Sequence, residues 1–376
     1  MASLLPHVDP DGLLEYSVVF TDRSLNHMSK SFQLVMNDIS RGLKKVYNAK
    51  AVIVIPGGGT FGMEAIARQF GSGKKCLVVR NGWFSYRWSQ ILETGKIASE
   101  TIVLKAQRDN RNNKSAFSPI QIRELVSKIK SEKPHVVYAP HVETSAGMIL
   151  PDDYLREVAD AVHAVDGIFV LDCVASGALW IDMQKTGVDV LLSAPQKGWS
   201  SSPCSGLVML SEKAKAVIRS TKSTSFVCDL LKWLEIMEAY ETGGHAYHTT
   251  MPTDSLSKFR DTLLETEEYG FEKTRLEQIE LGTRVRSLLE SKGFASVAAK
   301  QFQASSVIVS YTENPAIKNG KLFMDQGIQI AAGVPLECDE GENFMTFRIG
   351  LFGLDKLHNI ERTVQKLEVA LNEISP

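Results

Sequence analysis

The chain has 376 residues, 44% of them hydrophobic and 23% charged, with a formal net charge of -2 at pH 7. That is the composition of a globular protein too long for a single core, so two domains are expected, and the near-neutral balance offers no electrostatic case for nucleic acid or an anionic membrane. The five scattered cysteines, Cys76, Cys173, Cys204, Cys228 and Cys338, contain no C-x-x-C pair, which points away from a disulfide framework or a zinc site and towards a reducing compartment.

The opening M-A-S-L-L-P-H-V-D-P has neither a basic n-region nor a long apolar core, so no secretory signal is expected. No stretch approaches the roughly 20 apolar residues of a spanning helix. The closing N-E-I-S-P is not a peroxisomal address, and a cytoplasmic protein is the expectation. Residues 1–22 contain Pro6, Pro10 and Gly12 without a clean period and read as an extended arm. From Ser31 to Val46, apolar residues at Phe32, Leu34, Val35, Ile39, Leu43 and Val46 trace a helical stripe.

Ala51 to Ile55 is a continuous apolar run, followed at Pro56 to Ala65 by P-G-G-G-T-F-G-M-E-A. Strand, glycine loop and helix together aim backbone N–H groups and a helix N-terminus at an anion, and glycine lets the backbone come close. The spacing is neither G-x-G-x-x-G nor G-x-x-x-x-G-K-[ST], which disfavours a dinucleotide or a nucleoside triphosphate. A second strand, Cys76 to Val79, runs into N-G-W-F-S-Y-R at Asn81 to Arg87. Its aromatics, just past an Asn-Gly turn, belong either to the core or over a planar ligand.

Ser118 to Lys130 has the helical period, and Val136 to Ala139 reads as a strand leading into P-H-V-E-T-S-A-G-M-I-L-P. Hydroxyls and Gly147 there sit just past a strand end. Tyr154 to Val165 is again helical, and Ile168 to Leu171 is a strand closed by D-C-V-A-S-G. Asp172 is either an ordinary turn aspartate or an acid facing a cation, such as a protonated pyridine nitrogen.

Lys197 lies 25 residues after Asp172, within V-D-V-L-L-S-A-P-Q-K-G-W-S-S-S at Val188 to Ser202. The run Val188 to Leu192 reads as a buried parallel strand ending in a loop, and ligands of open α/β sheets sit at such carboxyl ends. Alone, Lys197 is either a solvated loop lysine or an amine that desolvation uncharges into a nucleophile, as a carbonyl cofactor requires.

Gly206 to Leu210 reads as a strand and Phe226 to Tyr240 as a helix. The loop E-T-G-G-H-A-Y-H-T-T-M-P-T then offers several donors to a phosphate. His245 and His248 come without clustered carboxylates, so no metal site is expected. Asp254 to Lys292 is long and helical, with Asp254 a candidate cap and Gly270 a candidate break and domain boundary. Beyond it, strand-like runs (Ser306 to Tyr311, Ile328 to Ala332, Phe344 to Ile349) alternate with helical ones (Leu276 to Leu289, Leu357 to Ile374), the pattern of a small α+β domain. Arg348, inside F-R-I-G-L-F-G, is either a structural salt-bridge partner or a clamp for a carboxylate or phosphate. There is no internal repeat and no low-complexity segment.

Seven motifs in order (P-G-G-G-T-F-G-M-E-A, N-G-W-F-S-Y-R, H-V-E-T-S-A-G, D-C-V-A-S, S-A-P-Q-K-G, Y-H-T-T-M-P and R-I-G-L-F-G) resemble the class V, fold-type I aminotransferases that use pyridoxal 5'-phosphate. The likeness is greatest to the alanine–glyoxylate, serine–pyruvate and 2-aminoethylphosphonate–pyruvate group, and it runs from about His27 to Gly353. It implies an α/β large domain, a mostly parallel sheet flanked by helices, with a small C-terminal α+β domain: an arm at 1–22, the cofactor domain at 23–268 and the small domain at 269–376.

The resemblance also implies roles. Lys197 would form the internal aldimine and shuttle the proton at Cα, and Asp172 would pair with the pyridinium nitrogen. Phe84 and Val174 would cover the two ring faces. Gly58, Gly59, Thr60 and Gln196 would serve the phosphate, and Thr144 the neighbourhood of the ring hydroxyl. Tyr247 and Thr250 would reach the phosphate of the neighbouring subunit, which implies a homodimer with shared sites. Arg348 would clamp the substrate's carboxylate, or its phosphonate in a phosphonate user.

The implied reaction is ping-pong transfer of an amino group from a small donor such as alanine or serine to glyoxylate or pyruvate. Two departures stand out: Glu15 to Ser29 lacks the family's P-G-P loop, and Val142 stands where relatives often carry a small residue. A lyase or desulfurase of the same fold is the rival reaction, although Cys204, seven residues after Lys197, is not placed as a desulfurase cysteine. A non-catalytic binding protein is the rival class, and the joint presence of Lys197, Asp172 and Arg348 weighs against it.

Overall fold

The computed structural model describes residues 13–108, 112 and 114–374. The first twelve residues of the expected arm lie outside the described residues; from residue 13 to residue 22 the chain forms neither helix nor strand, and Leu13, Leu14, Tyr16 and Val18 are exposed.

Helix α1 (Lys30–Tyr47) begins where Ser29 Oγ accepts from the Phe32 N–H, and it ends at Asn48 in the left-handed region. It buries Phe32, Val35, Met36, Ile39 and Leu43, but Leu34 is 64% exposed: the apolar stripe is one position narrower than the sequence pattern drew it. Strand β1 (Ala51–Pro56) feeds α2 (Gly59–Gly71), and β2 (Lys75–Arg80) feeds α3 (Trp83–Thr94). The Asn-Gly turn is therefore the start of a helix. Strand β3 (Glu100–Lys105), which the sequence pattern did not announce, follows, with a short pair β4 (Gln107–Arg108) and β5 (Phe117–Ser118). No residue of β3 is fully buried, which is why it lacks a core strand's continuous apolar run.

Helix α4 (Ile122–Glu132) starts four residues later than its pattern suggests, because Phe117 and Ser118 are taken into β5. Next come β6 (Val136–Pro140), the small hairpin β7 (Val142–Glu143) and β8 (Met148–Ile149), α5 (Asp152–His163) and β9 (Ile168–Asp172). After the single turn α6 (Met183–Thr186) come β10 (Val190–Ser193) and β11 (Ser205–Leu210). Helix α7 (Glu212–Ser220) is also missed in the sequence, and α8 (Leu230–Glu241) begins after Phe226, which is 74% exposed.

The main sheet has the order β1-β11-β10-β9-β6-β2-β3. β11 runs antiparallel to both β1 and β10, and every other pairing in the sheet is parallel. Helices flank it: α2 packs on β10 and β11, α3 on β2 and β6, α5 on β9, and α1 and α8 on β1. β1, β2, β6, β9, β10 and β11 are buried almost throughout, as strands covered on both faces must be. A Cβ on Gly62 would lie 2.4 Å from Leu192 Cδ1, and one on Gly206 would lie 3.0 Å from the Gly62 Cα. Glycine at both places lets α2 approach the sheet closely and delivers its N-terminus to the ends of the parallel strands.

Gly270, at φ 106°, breaks the long charged helical stretch into α9 (Thr253–Tyr269) and α10 (Phe271–Ser291). A second sheet, β12-β14-β13, is built from β12 (Val307–Tyr311), β13 (Ala331–Ala332) and β14 (Thr346–Gly350), all antiparallel. β13 keeps only the last two residues of its predicted run. The short helices α11 (Pro315–Lys318), α12 (Lys321–Asp325) and α13 (Leu354–Leu357) and the long α14 (Ile360–Ile374) complete this part. Leu281, Val285, Ile308, Phe347, Ile349 and Leu371 form an apolar cluster there, apart from the one under the main sheet.

Candidate active site

The loops at the carboxyl ends of β1, β2, β6, β9 and β10 meet with the start of α2 and with β14 around a cavity of about 270 Å³. Its lining includes nine of the residues singled out from the sequence: Gly59, Thr60, Phe84, Thr144, Asp172, Val174, Gln196, Lys197 and Arg348. Gly58 stands beside them as the N-cap of α2, without a side-chain cap. Tyr247 and Thr250 are not brought to this cavity. They lie on the loop after α8, Tyr247 exposed, with the two hydroxyls 3.2 Å apart.

Asp172 closes β9 and pairs with Leu192 across the parallel ladder and with Pro140 on the other side. Its Oδ1 accepts from the Val174 N–H at 3.0 Å, which bends the chain over the cavity. Burial pushes the carboxyl up to about 6; the Val174 hydrogen bond and Arg87 pull it down, and the Glu143 carboxylate adds to the rise. Among the described residues Asp172 makes no direct ion pair; Arg87 acts on it only from a distance, too weakly to offset the effect of burial.

Lys197 stands on the loop after β10, and burial lowers its ammonium below the usual range, with Arg348 adding repulsion. Its Nζ lies 5.1 Å from the centre of the Phe352 ring. The loop is tightly held. Trp199, fully buried, packs within 4.6 Å of the Trp180 ring and near Tyr47, Phe259 and Phe271. A Cβ on Gly198 would fall 2.1 Å from the Gly177 carbonyl oxygen, so the lysine loop rests directly on the chain that follows Asp172. Ser200 Oγ accepts from the Leu354 N–H at 3.2 Å, tying the same loop to the segment that follows Arg348.

Arg348 stands on β14 at the wall of the cavity. Its Nε donates to the Ala332 carbonyl at 2.8 Å, and among the described residues it has no ion-pair partner, so a structural salt bridge is not what it serves. The rest of the guanidinium faces the cavity, its carbon 5.6 Å from the Phe84 ring centre.

The donor set fits pyridoxal 5'-phosphate. Gln196 Oε1 is buried without a hydrogen-bond partner among the described residues. A Cβ on Gly59 would lie 2.9 Å from Val174 Cγ2, so a side chain there would crowd the wall of the cavity. Among the described residues, an acid and an amine that make no direct ion pair and a helix N-terminus without a side-chain cap match a ring nitrogen, an aldehyde and a phosphate.

Two residues that matter here escaped the sequence reading. Glu143, fully buried, accepts from the Phe84 and Ser145 N–H groups through Oε1 at 3.2 and 3.1 Å, and from the Ser85 N–H through Oε2 at 2.9 Å. It caps α3 and thereby places Phe84. Its signal was an acid between small hydroxyl residues in H-V-E-T-S-A-G. Arg87 lines the cavity three residues after Phe84, on the same helical face, a relation visible only once N-G-W-F-S-Y-R is seen as a helix start. Val142, noted as a departure, lines the cavity too, packed with Ala175 and Ala304.

Among the described residues, no helix is long and apolar enough to cross a membrane, and no group of three or more potential metal ligands is gathered. The family model described as aminotransferase class-V matches residues 13–347. The alanine–glyoxylate aminotransferase of Felis catus is 27% identical over 365 residues, covering 93% of this chain and 83% of its own. Of solved structures, an alanine–glyoxylate aminotransferase from Nostoc sp. has a TM-score of 0.77 at 21% identity, with 92% of this chain and 88% of that one covered. A ureidoglycine–glyoxylate aminotransferase from Bacillus subtilis has a TM-score of 0.76 at 20% identity, with 95% and 88% covered. At such identities the structural likeness speaks for the fold.

Replacing Glu143 by Ala strands the N–H groups of Phe84, Ser85 and Ser145, and is expected to cost the apoprotein more than about 2 kcal/mol, read as a lowered thermal midpoint; an unchanged midpoint removes Glu143 from its capping role. Because the folded carboxyl of Asp172 is raised to about 6 from its ordinary 3.8, the folded apoprotein binds this proton more tightly than the unfolded chain. Its contribution to stability therefore falls as pH rises from about 4 to about 6. Asp172→Asn should gain thermal midpoint relative to the wild-type apoprotein across that window, and a pH-independent difference contradicts the shift.

Proposed function

This chain belongs to the class V aminotransferases, a pyridoxal phosphate-dependent family of fold-type I, and we propose that it moves an amino group from a small donor such as alanine or serine to glyoxylate or pyruvate. The observation that carries this reading is the meeting of Asp172 and Lys197, from adjacent strand ends, with the remote Arg348 in one cavity, none of the three engaged in a direct ion pair among the described residues. The relatives named alanine–glyoxylate aminotransferase support the choice of small substrates.

When bound, pyridoxal phosphate supplies an aldehyde and a protonated ring that takes up electron density from the substrate's Cα. The protein does the rest. Lys197, its charge already disfavoured by burial, is the covalent anchor and then the base at Cα. Asp172 holds a proton on the ring nitrogen, its own negative charge stabilised once a cation faces it. Phe84 and Val174 cover the ring faces and exclude water. Gly58, Gly59, Thr60 and Gln196 receive the phosphate, and Thr144 serves the ring hydroxyl. Arg348 orients the substrate's carboxylate through the guanidinium nitrogens that no carboxylate takes up among the described residues. The same clamp suits a phosphonate, so 2-aminoethylphosphonate is the donor to test beside alanine. No cysteine lines the cavity among the described residues, which weighs against a desulfurase.

The reading extends to assembly and place. Tyr247 and Thr250 stand outside their own cavity and offer two hydroxyls, which suits a homodimer in which each subunit completes the other's phosphate site. We place the arm at 1–22, the cofactor domain at 23–268 and the small domain at 269–376, with the boundary at the Gly270 break. Five free, buried cysteines suit the cytoplasm.

Borohydride treatment of the loaded protein should fix the cofactor to Lys197, located by peptide mass; Lys197→Ala should fold and fix none, and retained fixation removes Lys197 from its role. Adding alanine without an acceptor should convert the bound aldehyde's absorbance to that of the amine form, with pyruvate released in equal amount. Release of ammonia with no lasting amine form identifies a lyase instead.

A further inference from the structure

Resting on the reading of this cavity as a pyridoxal phosphate site, the residues assigned to the phosphate carry a difficulty. Gly58, Gly59, Thr60 and Gln196 are all uncharged, and a phosphate ester enters as roughly a dianion. The N-terminus of α2 offers partial positive charge, equivalent to about half a unit. A full charge at the same end would complete the match.

Three cations line the cavity: Arg87, Lys197 and Arg348. Lys197 is committed to the aldehyde. Arg348 enters from β14, its Nε held by the Ala332 carbonyl, and is committed to the substrate's carboxylate. Arg87 remains. Its Nη1 donates to Thr60 Oγ1 at 3.1 Å, and Thr60 stands in the first turn of α2, where the uncapped N–H groups are. Among the described residues it makes no direct ion pair, and its attraction to Asp172 acts only from a distance. Its guanidinium carbon lies 5.3 Å from the centre of the Phe84 ring, three residues earlier on α3, so one helical face presents the ring cover and the charge together.

We infer that Arg87 is the charged anchor of the cofactor's phosphate. The guanidinium reaches the anion from the α3 side while α2 presents its N–H groups from the other, and the Thr60 hydroxyl keeps the arginine in register with the helix end. A planar fork with several donors meets phosphate oxygens better than a point charge does. Arg87 thereby separates the phosphorylated cofactor from the free aldehyde and couples phosphate binding to the position of Phe84. No step of the amino transfer requires Arg87 itself.

The test compares two ligands that differ only in the phosphate. Apoprotein of the wild type, Arg87→Met and Arg87→Lys is titrated with pyridoxal 5'-phosphate and with pyridoxal, following the absorbance of bound aldehyde and the quenching of tryptophan fluorescence. Arg87→Met should bind the phosphorylated form about 10- to 100-fold more weakly and pyridoxal within about twofold of wild type. Arg87→Lys should recover much of the loss. Inorganic phosphate should compete with the phosphorylated form in the wild type and more weakly in Arg87→Met. Equal losses for both ligands would assign Arg87 to holding Phe84 rather than phosphate, and undiminished binding of the phosphorylated form would overturn the assignment outright. A wild type that takes up neither ligand overturns the cofactor reading together with this one.

Discussion

The structure depends on one close approach: the loop that carries Lys197 lies on the chain that follows Asp172, with no room for a side chain on Gly198 against the Gly177 carbonyl. β9 and β10 are parallel neighbours, with Asp172 opposite Leu192, so acid and amine leave adjacent strand ends on the same side of the sheet. The buried Trp199, seated among Trp180, Tyr47, Phe259 and Phe271, keeps the lysine loop there. Both groups are thus held where water is scarce, and water is what would otherwise stabilise their charges.

Around that contact the site is assembled from opposite ends of the chain. α2 approaches the sheet through Gly62 and Gly206 and points its N-terminus into the cavity. α3 is aimed by a buried carboxylate, Glu143, that belongs to a different strand connection. Arg348 comes from a second sheet, and Leu354, a little further along, donates to Ser200 on the lysine loop. Among the described residues the arrangement is one of partly unmet electrostatic demands: Asp172, Lys197 and Arg348 each lack a direct ion-pair partner. Each is costly in an empty protein and is relieved by a ligand that carries the complementary charge, which is how binding energy becomes orientation.

Such demands also set the cavity charges apart from those at the surface. Arg219 and Glu238, or Lys75 with Glu100 and Glu132, satisfy one another at the surface and contribute little either way. The cavity groups do not satisfy one another, although Asp172 and Lys197 line the same space.

The sequence by itself determined the family, the buried strands and most of the cavity wall. Continuous apolar runs such as Ala51 to Ile55 and Ile168 to Leu171 announce strands covered on both faces, and glycine or a polar residue at their carboxyl ends announces what stands over the ligand. It missed β3, because a partly exposed strand has no apolar run, and α3, because an Asn-Gly pair reads as a turn until Glu143 is seen capping the helix from 58 and 59 residues away. Only the tertiary structure decided that Arg348 lines the cavity without a direct ion pair among the described residues, that Glu143 is a cap, that Arg87 faces the cavity, and that Tyr247 and Thr250 stand outside it. Each of those depends on which groups from remote segments come within a few ångströms, and sequence patterns carry periodicity along the chain but not distance across it.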